Sequence, residues 1–302
     1  METIFNCKIV TPMFLGGADN SLHAAPELRP PSIRGAMRWW FRAMMGGIIC
    51  NNIEGLRKLE TLVFGDSEIS SSISIKKKSE KLEPKEYARR PNKTGTQALT
   101  KNAIDNNQSL EIIITLNPWV KENKNEIFSA AVESLKLLLT FGGLGNRSRR
   151  GFGSLYWNND KSEKTILEEA RKNFIDFCEK LGYPESPCTN IPSFPCIAKG
   201  YFDVWISEES NNWETHLINL MNEMSSFKLS ENRNAIGDII PSRQASPLIV
   251  HTKKDSDNNF KLVFSHFRTK LSSNFHIDNN NRNALERVLE ENLNAKRIGV
   301  FI

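Results

Sequence analysis

The amino-acid sequence predicts an α+β protein in which one small unit, βαββαβ, is used twice in tandem. Three observations carry this expectation. Period-two alternation marks a strand at 3–11, apolar residues recur at helical spacing near 33–48 and 127–138, and the same element order returns after a proline-rich connector.

In TIFNCKIVT, residues 3–11, Phe5, Cys7 and Ile9 fall on one side of a strand. PMFLGGADNSLHAAPELRPP follows, rich in glycine and proline, and reads as loop. From Ser32, a candidate N-cap after two prolines, the pattern turns helical. Ile33, Met37, Trp40, Met44 and Ile48 share one side of a 3.6-residue wheel. Arg34, Arg38 and Arg42 repeat every four residues on the far side. Like charges so spaced cost an isolated helix roughly a few tenths of a kcal/mol each, and a nearby anion would offset that.

After Gly46-Gly47 comes a short helical stretch, and TLVFGD and SISIK then read as strands. Residues 76–108 show little periodicity and read as a long basic loop. SLEIIITLN is a buried strand. Ile127, Ala131, Leu135 and Leu138 define a helix running to Thr140, and GSLYW closes the unit as a strand. This order is the ferredoxin-like (RRM-like) arrangement. Residues 164–181 add an amphipathic helix with Ile166, Ala170, Phe174 and Phe177 on one side, and GYPESPCTNIPSFPC is the connector. The second unit then reads YFDVWI (strand), WETHLINLMNEMSSF (helix), SPLIVHT and FKLVFSHF (strands), a helix at about 282–295 and RIGVFI (strand). The expected division is a first domain at 1–158, an extra helix and connector at 159–195, and a divergent second domain at 196–302.

At 302 residues the chain can bury a sizeable core. No apolar run approaches the ~20 residues of a membrane span, which argues against a membrane partner. METIFNCKIV lacks a basic start and an apolar core, so no secretory signal is expected. Cys7, Cys50, Cys178, Cys188 and Cys196 are scattered without CxxC pairs. They read as reduced thiols of a cytoplasmic protein, with no metal site and no cofactor.

Charge is strongly segregated. Residues 28–45 carry four arginines and no acid, 76–101 nine basic residues against three acids, and 141–155 three arginines and no acid. Together these segments hold +13 in a chain of net charge +5, so the remainder is net −8. Such gathering suits a polyanion.

The third segment, FGGLGNRSRRGFGSL, fits neither a Walker loop, which needs GxxxxGK[ST], nor a dinucleotide fingerprint, because it follows a helix and precedes a strand. Two readings stay open. Its glycines could bring backbone amides close to a ligand while Arg147, Arg149 and Arg150 contact phosphate. Alternatively, Gly142, Gly143 and Gly145 serve a turn and the arginines are plain surface. Trp39 leaves its helix away from both the apolar stripe and the arginine line, so it either stacks on a base or packs against this bend.

FLGGADNSLHAAPELRPPSIRGAMRWWFRA, VFGD and GGLGNRSRRGFGSL together resemble the Cmr-module RAMP proteins of type III-B CRISPR–Cas systems, in particular the subunit that caps the guide-RNA 3′ end. SRQASPL at 242–248 is similar to the family's second-domain motif, which brings in Arg243. The resemblance implies ferredoxin-like domains with a glycine-rich loop between the last helix and last strand. It also implies a non-catalytic RNA-binding role, with guide RNA, target single-stranded RNA and other Cmr-module RAMP subunits as partners. The positions carried over as RNA-binding are Arg29, Arg34, Arg38, Arg42, Gly142, Gly143, Gly145, Arg147, Arg149, Arg150 and Gly151; outside the resemblance, His23 and Lys93, the latter from the basic segment that matches no family motif, are weaker candidates.

Some RAMP proteins cleave RNA, and a RAMP endoribonuclease is the alternative function. General acid–base work needs a titratable group at the scissile phosphate. Of the five histidines only His23 lies in a basic, loop-rich segment, and Tyr87 is the one tyrosine nearby. Asp19 could hold a metal but has no second carboxylate beside it. His251 and His266 fall in expected strands. A scaffold touching only protein would leave the Arg34–Arg38–Arg42 line unexplained.

Overall fold

The computed structural model describes residues 1–17, 21, 23–229, 245–255, 259–269 and 279–299. The first half contains β1 (Glu2–Ile9), α1 (Pro30–Ile48), α2 (Ile53–Phe64), β2 (Ile73–Lys78), β3 (Pro84–Ala88), β4 (Thr100–Ile104), β5 (Ser109–Leu116), α3 (Lys124–Phe141) and β6 (Leu155–Trp157). After α4 (Glu163–Lys180) come β7 (Phe202–Ile206), α5 (Trp213–Leu229), β8 (Leu248–Lys254), β9 (Phe260–Phe267), α6 (Asn279–Arg287) and β10 (Lys296–Ile298).

Two four-stranded sheets form, in the orders β2-β5-β1-β6 and β10-β7-β9-β8, with every paired strand antiparallel. Numbered within its own half, each sheet reads 4-1-3-2, one being traversed in the reverse sense. That is the expected ferredoxin-like order. Alternation does what the sequence foretold: Phe5, Cys7 and Ile9 on β1 and Leu110, Ile112 and Ile114 on β5 are buried. The α1 stripe of Ile33, Met37, Trp40, Met44 and Ile48 is buried against them.

Several expectations are corrected. Helix α1 begins at Pro30, with Arg29 rather than Ser32 at the N-cap. Pro30 and Pro31 occupy its first turn, where a missing N–H costs nothing. TLVFGD is not a strand: α2 runs through Thr61, Leu62, Val63 and Phe64, and the chain turns at Gly65. Residues 76–108 are not one long loop. β2 extends to Lys78, and β3 and β4 form a separate two-stranded hairpin. Most of the hairpin's side chains are exposed or half-buried, so no apolar alternation announces it, and Pro84 sits at the strand start, where proline is tolerated. The helix expected at 282–295 is α6 followed by a π-turn at Val288–Asn292.

The cysteines are not all free thiols. Cys50 and Cys188 are joined in a disulfide, while Cys7, Cys178 and Cys196 are buried thiols. The cause is the path of the connector, which folds back on the C-terminal end of α1. The Cys50 amide donates to the Ser186 carbonyl (2.9 Å) and the Ser186 amide to that of Ile48 (2.8 Å), bringing Cys188 alongside. No helix among the described residues is long and apolar enough to cross a membrane.

The halves do not keep separate cores. Phe202, Val204, Ile249, Val263 and Phe267 join the α1 and α3 side chains in one apolar cluster. Phe14, Ala103 and Phe152 of the first half join Trp205, Leu217, Val250 and Phe264 in a second.

Candidate nucleic-acid interface

The glycine-rich bend sits where the two sheets meet, and its backbone is anchored on three sides. The Asn146 and Gly153 amides donate to the carbonyls of Phe14 (2.7 Å) and Pro12 (3.1 Å), and the Gly151 amide donates to that of Val250 on β8 (3.1 Å). The Gly151 carbonyl accepts from the hydroxyls of Thr11 (2.8 Å), Thr252 (3.0 Å) and Ser154 (3.1 Å). Gly145 and Gly153 have φ of +87° and +66°, and a Cβ at either would fall on a backbone carbonyl, of Phe14 or of Leu144. At Gly142 the neighbour is Trp40 Nε1, 2.6 Å from the Cβ position. The glycines therefore answer to packing against the protein. Of the glycines expected either to face a ligand or to serve a turn, Gly142 gives its amide to the Leu138 carbonyl, and the amides of Gly151 and Gly153 likewise go to protein carbonyls.

The arginines of the bend divide into two kinds. Arg149 is engaged by the protein: its Nη1 donates to the Ser246 carbonyl (2.5 Å), and its guanidinium lies 5.5 Å from the Trp39 ring. Trp39 is half-buried, edge-on to Trp40 (4.9 Å) and Phe267 (5.4 Å), so of its two expected roles the packing one is what the geometry displays. Arg147 and Arg150 differ. Arg147 Nε and Arg150 Nη1 are buried without a hydrogen-bond partner, and neither side chain has an ion pair among the described residues. Burial pushes the Arg147 guanidinium down to about 10, helped by the charges of Arg89, Arg90 and Arg150. Burial does the same to Arg150, with Arg149 adding to it. Arg147 also adopts the left-handed backbone region at φ +64°, unusual for a side chain of this size.

Helix α1 and the bend do meet, but through Trp39 and Trp40 rather than the arginine line. Arg38 Nε lies 2.6 Å from Glu60 Oε1 of α2, and Arg42 Nη1 lies 3.7 Å from the same oxygen. Glu60, itself buried, is thus the anion that offsets repulsion along α1. Arg34 is half-buried with its Nε unpartnered, and Arg29 is exposed beside Glu27 at 4.0 Å. Lys93 is exposed in the hairpin turn, and Arg243 and Asp19 lie outside the described residues. Sequence reasoning passed over Arg89 and Arg90, which share the neighbourhood of Arg147; the only signal was a charge doublet inside a segment without visible structure.

The outer face of the first sheet carries a cleft of about 1070 Å³, lined by Lys8, Lys78 and Lys81 but also by Glu80, Glu83, Asp105 and Glu111. Three cations against four acids do not make a polyanion track, so positive potential belongs to the bend instead. His23 is exposed, with only its carbonyl held, by Asn102 Nδ2 at 2.7 Å. The Tyr87 hydroxyl donates to Asp105, and burial followed by that carboxylate raises its pKa well above the usual phenol value. His251 and His266 are buried in strands, as expected. His251 Nδ1 lies 2.6 Å from the Gly142 carbonyl, which can only accept, so that nitrogen carries the hydrogen. Its pKa is pushed down to about 4 by burial and less by Lys253, against the opposing effects of the Gly142 carbonyl and Glu163.

The sequence model of the RAMP superfamily matches residues 6–156, which span β1 through β6 and the whole of the bend. The chain belongs to the RAMP superfamily. Among RAMP relatives, the CRISPR system Cmr subunit Cmr1-2 of Pyrococcus furiosus is 29% identical over 178 residues, 51% of this chain and 94% of the relative. Cmr subunit Cmr1-1 of the same organism is 29% identical over 156 residues, 48% of this chain and 44% of that one. The crystal structure of apo Cmr1 from P. furiosus superimposes with a TM-score of 0.68 at 19% identity, covering 98% of both chains. A chain of the type III-B Cmr-beta complex bound to cognate target RNA superimposes with a TM-score of 0.56 at 14% identity, covering 90% of this chain and 96% of that one. Both superpositions speak to the RAMP fold.

Two outcomes are expected for the bend. Gly153→Ala places a Cβ on the Leu144 carbonyl and should cost at least about 2 kcal/mol in chemical denaturation. Gly182→Ala, at φ +79° with open space around it, should cost only about 1 kcal/mol. For His251, the depressed folded pKa means that the unfolded chain binds the proton first. Stability is therefore full above pH 6.5 and erodes as pH falls toward 4, by an amount on the order of 3 kcal/mol. In urea titrations from pH 7 to 4.5, His251→Asn should show a shallower loss than the parent; parallel pH curves would disprove the assignment.

Proposed function

We propose that this RAMP protein is a non-catalytic, RNA-binding Cmr subunit of a type III-B CRISPR effector complex. It binds guide RNA near its 3′ end, together with the paired 5′ part of the target, alongside other Cmr subunits. The observation that carries the reading is the pair Arg147 and Arg150, half-buried on a bend fixed by backbone hydrogen bonds, without a counter-ion among the described residues and with Arg147 Nε and Arg150 Nη1 lacking a protein acceptor. An unpaired buried N–H is costly, and a phosphodiester oxygen is the acceptor a forked guanidinium matches. The relatives' names, the Cmr-beta chain's presence in a target-RNA complex and the cation-rich bend all support this assignment. Against the ribonuclease alternative stands the state of Tyr87, whose proton is committed to Asp105 and is a poor general acid at neutral pH.

Affinity of the full chain for labelled single-stranded RNA should fall with salt, with a log–log slope of about −0.7 per phosphate neutralised. Arg147→Ala and Arg150→Ala should each weaken binding by about tenfold, as expected for a charge-assisted contact. A salt-independent affinity would overturn the electrostatic account. RNA kept intact with and without Mg²⁺ supports the binder, whereas cleavage abolished by His23→Ala would establish the nuclease.

A further inference from the structure

Resting on that reading, the geometry points to the β3–β4 hairpin as the second jaw of the RNA site: Arg89 and Arg90, in the neighbourhood of Arg147, extend the cationic bend into one anion-binding surface that takes the phosphodiester backbone of a single strand. Two consecutive residues, Met13 and Phe14, join the parts. Met13 exchanges backbone hydrogen bonds with Ile104 of β4, both 3.0 Å, and the Phe14 carbonyl accepts from Asn146, the neighbour of Arg147. Both parts also lean on α5. Asn92 in the hairpin turn donates to Asn222 (3.2 Å), Tyr87 lies edge-on to Trp213 (6.4 Å), and the Cβ position of Gly151 lies 2.6 Å from Leu217.

The backbone of both arginines is held in the bend that closes the hairpin, where the Arg89 amide donates to the Leu99 carbonyl (3.1 Å) and that of Arg90 to the Ala98 carbonyl (3.0 Å). Arg89 Nε is buried without a hydrogen-bond partner, as are Arg147 Nε and Arg150 Nη1. None of the four guanidiniums has an ion pair among the described residues; Arg38, Arg42, Arg171, Arg268 and Arg297 have one, whereas Arg34, Arg57 and Arg287 share the lack but are not gathered with one another in this way. Four like charges gathered without a counter-ion repel one another, which a chain does not hold together for stability's sake. A phosphate backbone supplies the missing acceptors and the missing charge at once, and guanidinium forks suit it better than a lone ammonium would.

This arrangement has a signature opposite to that of a structural role. In the full chain, Arg89→Ala/Arg90→Ala should lower single-stranded RNA affinity at least about tenfold and shrink the salt slope by about 1.4, two phosphates' worth. It should not lower the melting temperature of the free protein, because repulsion is relieved. Combined with Arg147→Ala, the loss should be smaller than the product of the separate losses, since the groups share phosphates. Lys121→Ala/Lys124→Ala removes the same charge at the opposite end of α3, ~25 Å along the helix, and should leave affinity within about twofold. Parental affinity and slope in the hairpin variant, an equal loss in the lysine variant, or a lowered melting temperature would each refute the second jaw while leaving the RNA-binding reading standing. Salt-independent binding by the parent chain would remove that reading itself.

Discussion

The interlock of the glycine-rich bend is the constraint on which the remaining geometry depends. One short segment gives amides to Pro12, Phe14 and Val250 and gathers three hydroxyls on the Gly151 carbonyl. These bonds tie the loop after β1 and the edge strand β8 to a single point, and the next bonds along that loop, between Met13 and Ile104, reach the hairpin. Because Gly145 and Gly153 each bring their backbone against another backbone, no side chain could replace them without moving the chain at Phe14 or Leu144. Rigidity here gives Arg147 and Arg150 a defined place, which a flexible arginine loop would lack.

The same physics separates arginines that hold the molecule together from those left for a ligand. Arg149 serves Trp39 and Ser246, and Arg38 and Arg42 serve Glu60. What remains uncompensated is smaller than the raw +13 of the basic segments implies, and part of it gathers at Arg147, with Arg89, Arg90 and Arg150 around it. The broad cleft on the first sheet, with its mixed charges, is unsuited to RNA despite its size.

Much of the fold was legible because periodicity reports burial directly. The α1 stripe, the β1 and β5 alternation and the repeated element order all reflect a chain placing apolar groups on one side. Legibility failed where packing does not follow period. TLVF is strand-like by composition, yet its Val63 and Phe64 extend the apolar side of α2. The hairpin carries polar residues on both faces, so only its long-range pairing reveals it. Partners distant in sequence were also hidden: Glu60 for Arg38, Cys188 for Cys50, and the protein carbonyls that receive the bend's amides. The basic character of the site was readable, but the division of labour among its arginines depends on contacts no spacing encodes.

The intermingled cores described above mean that the halves are not interchangeable parts. Phe267 of β9 stacks near Trp39 and Trp40, while Phe14 and Phe152 sit among β8, β9 and α5 residues. Severing the chain at its connector would strip both fragments of their mutual lining and expose greasy surface on each. A cut or insertion in this chain is therefore borne better at an exposed loop tip than across these shared contacts.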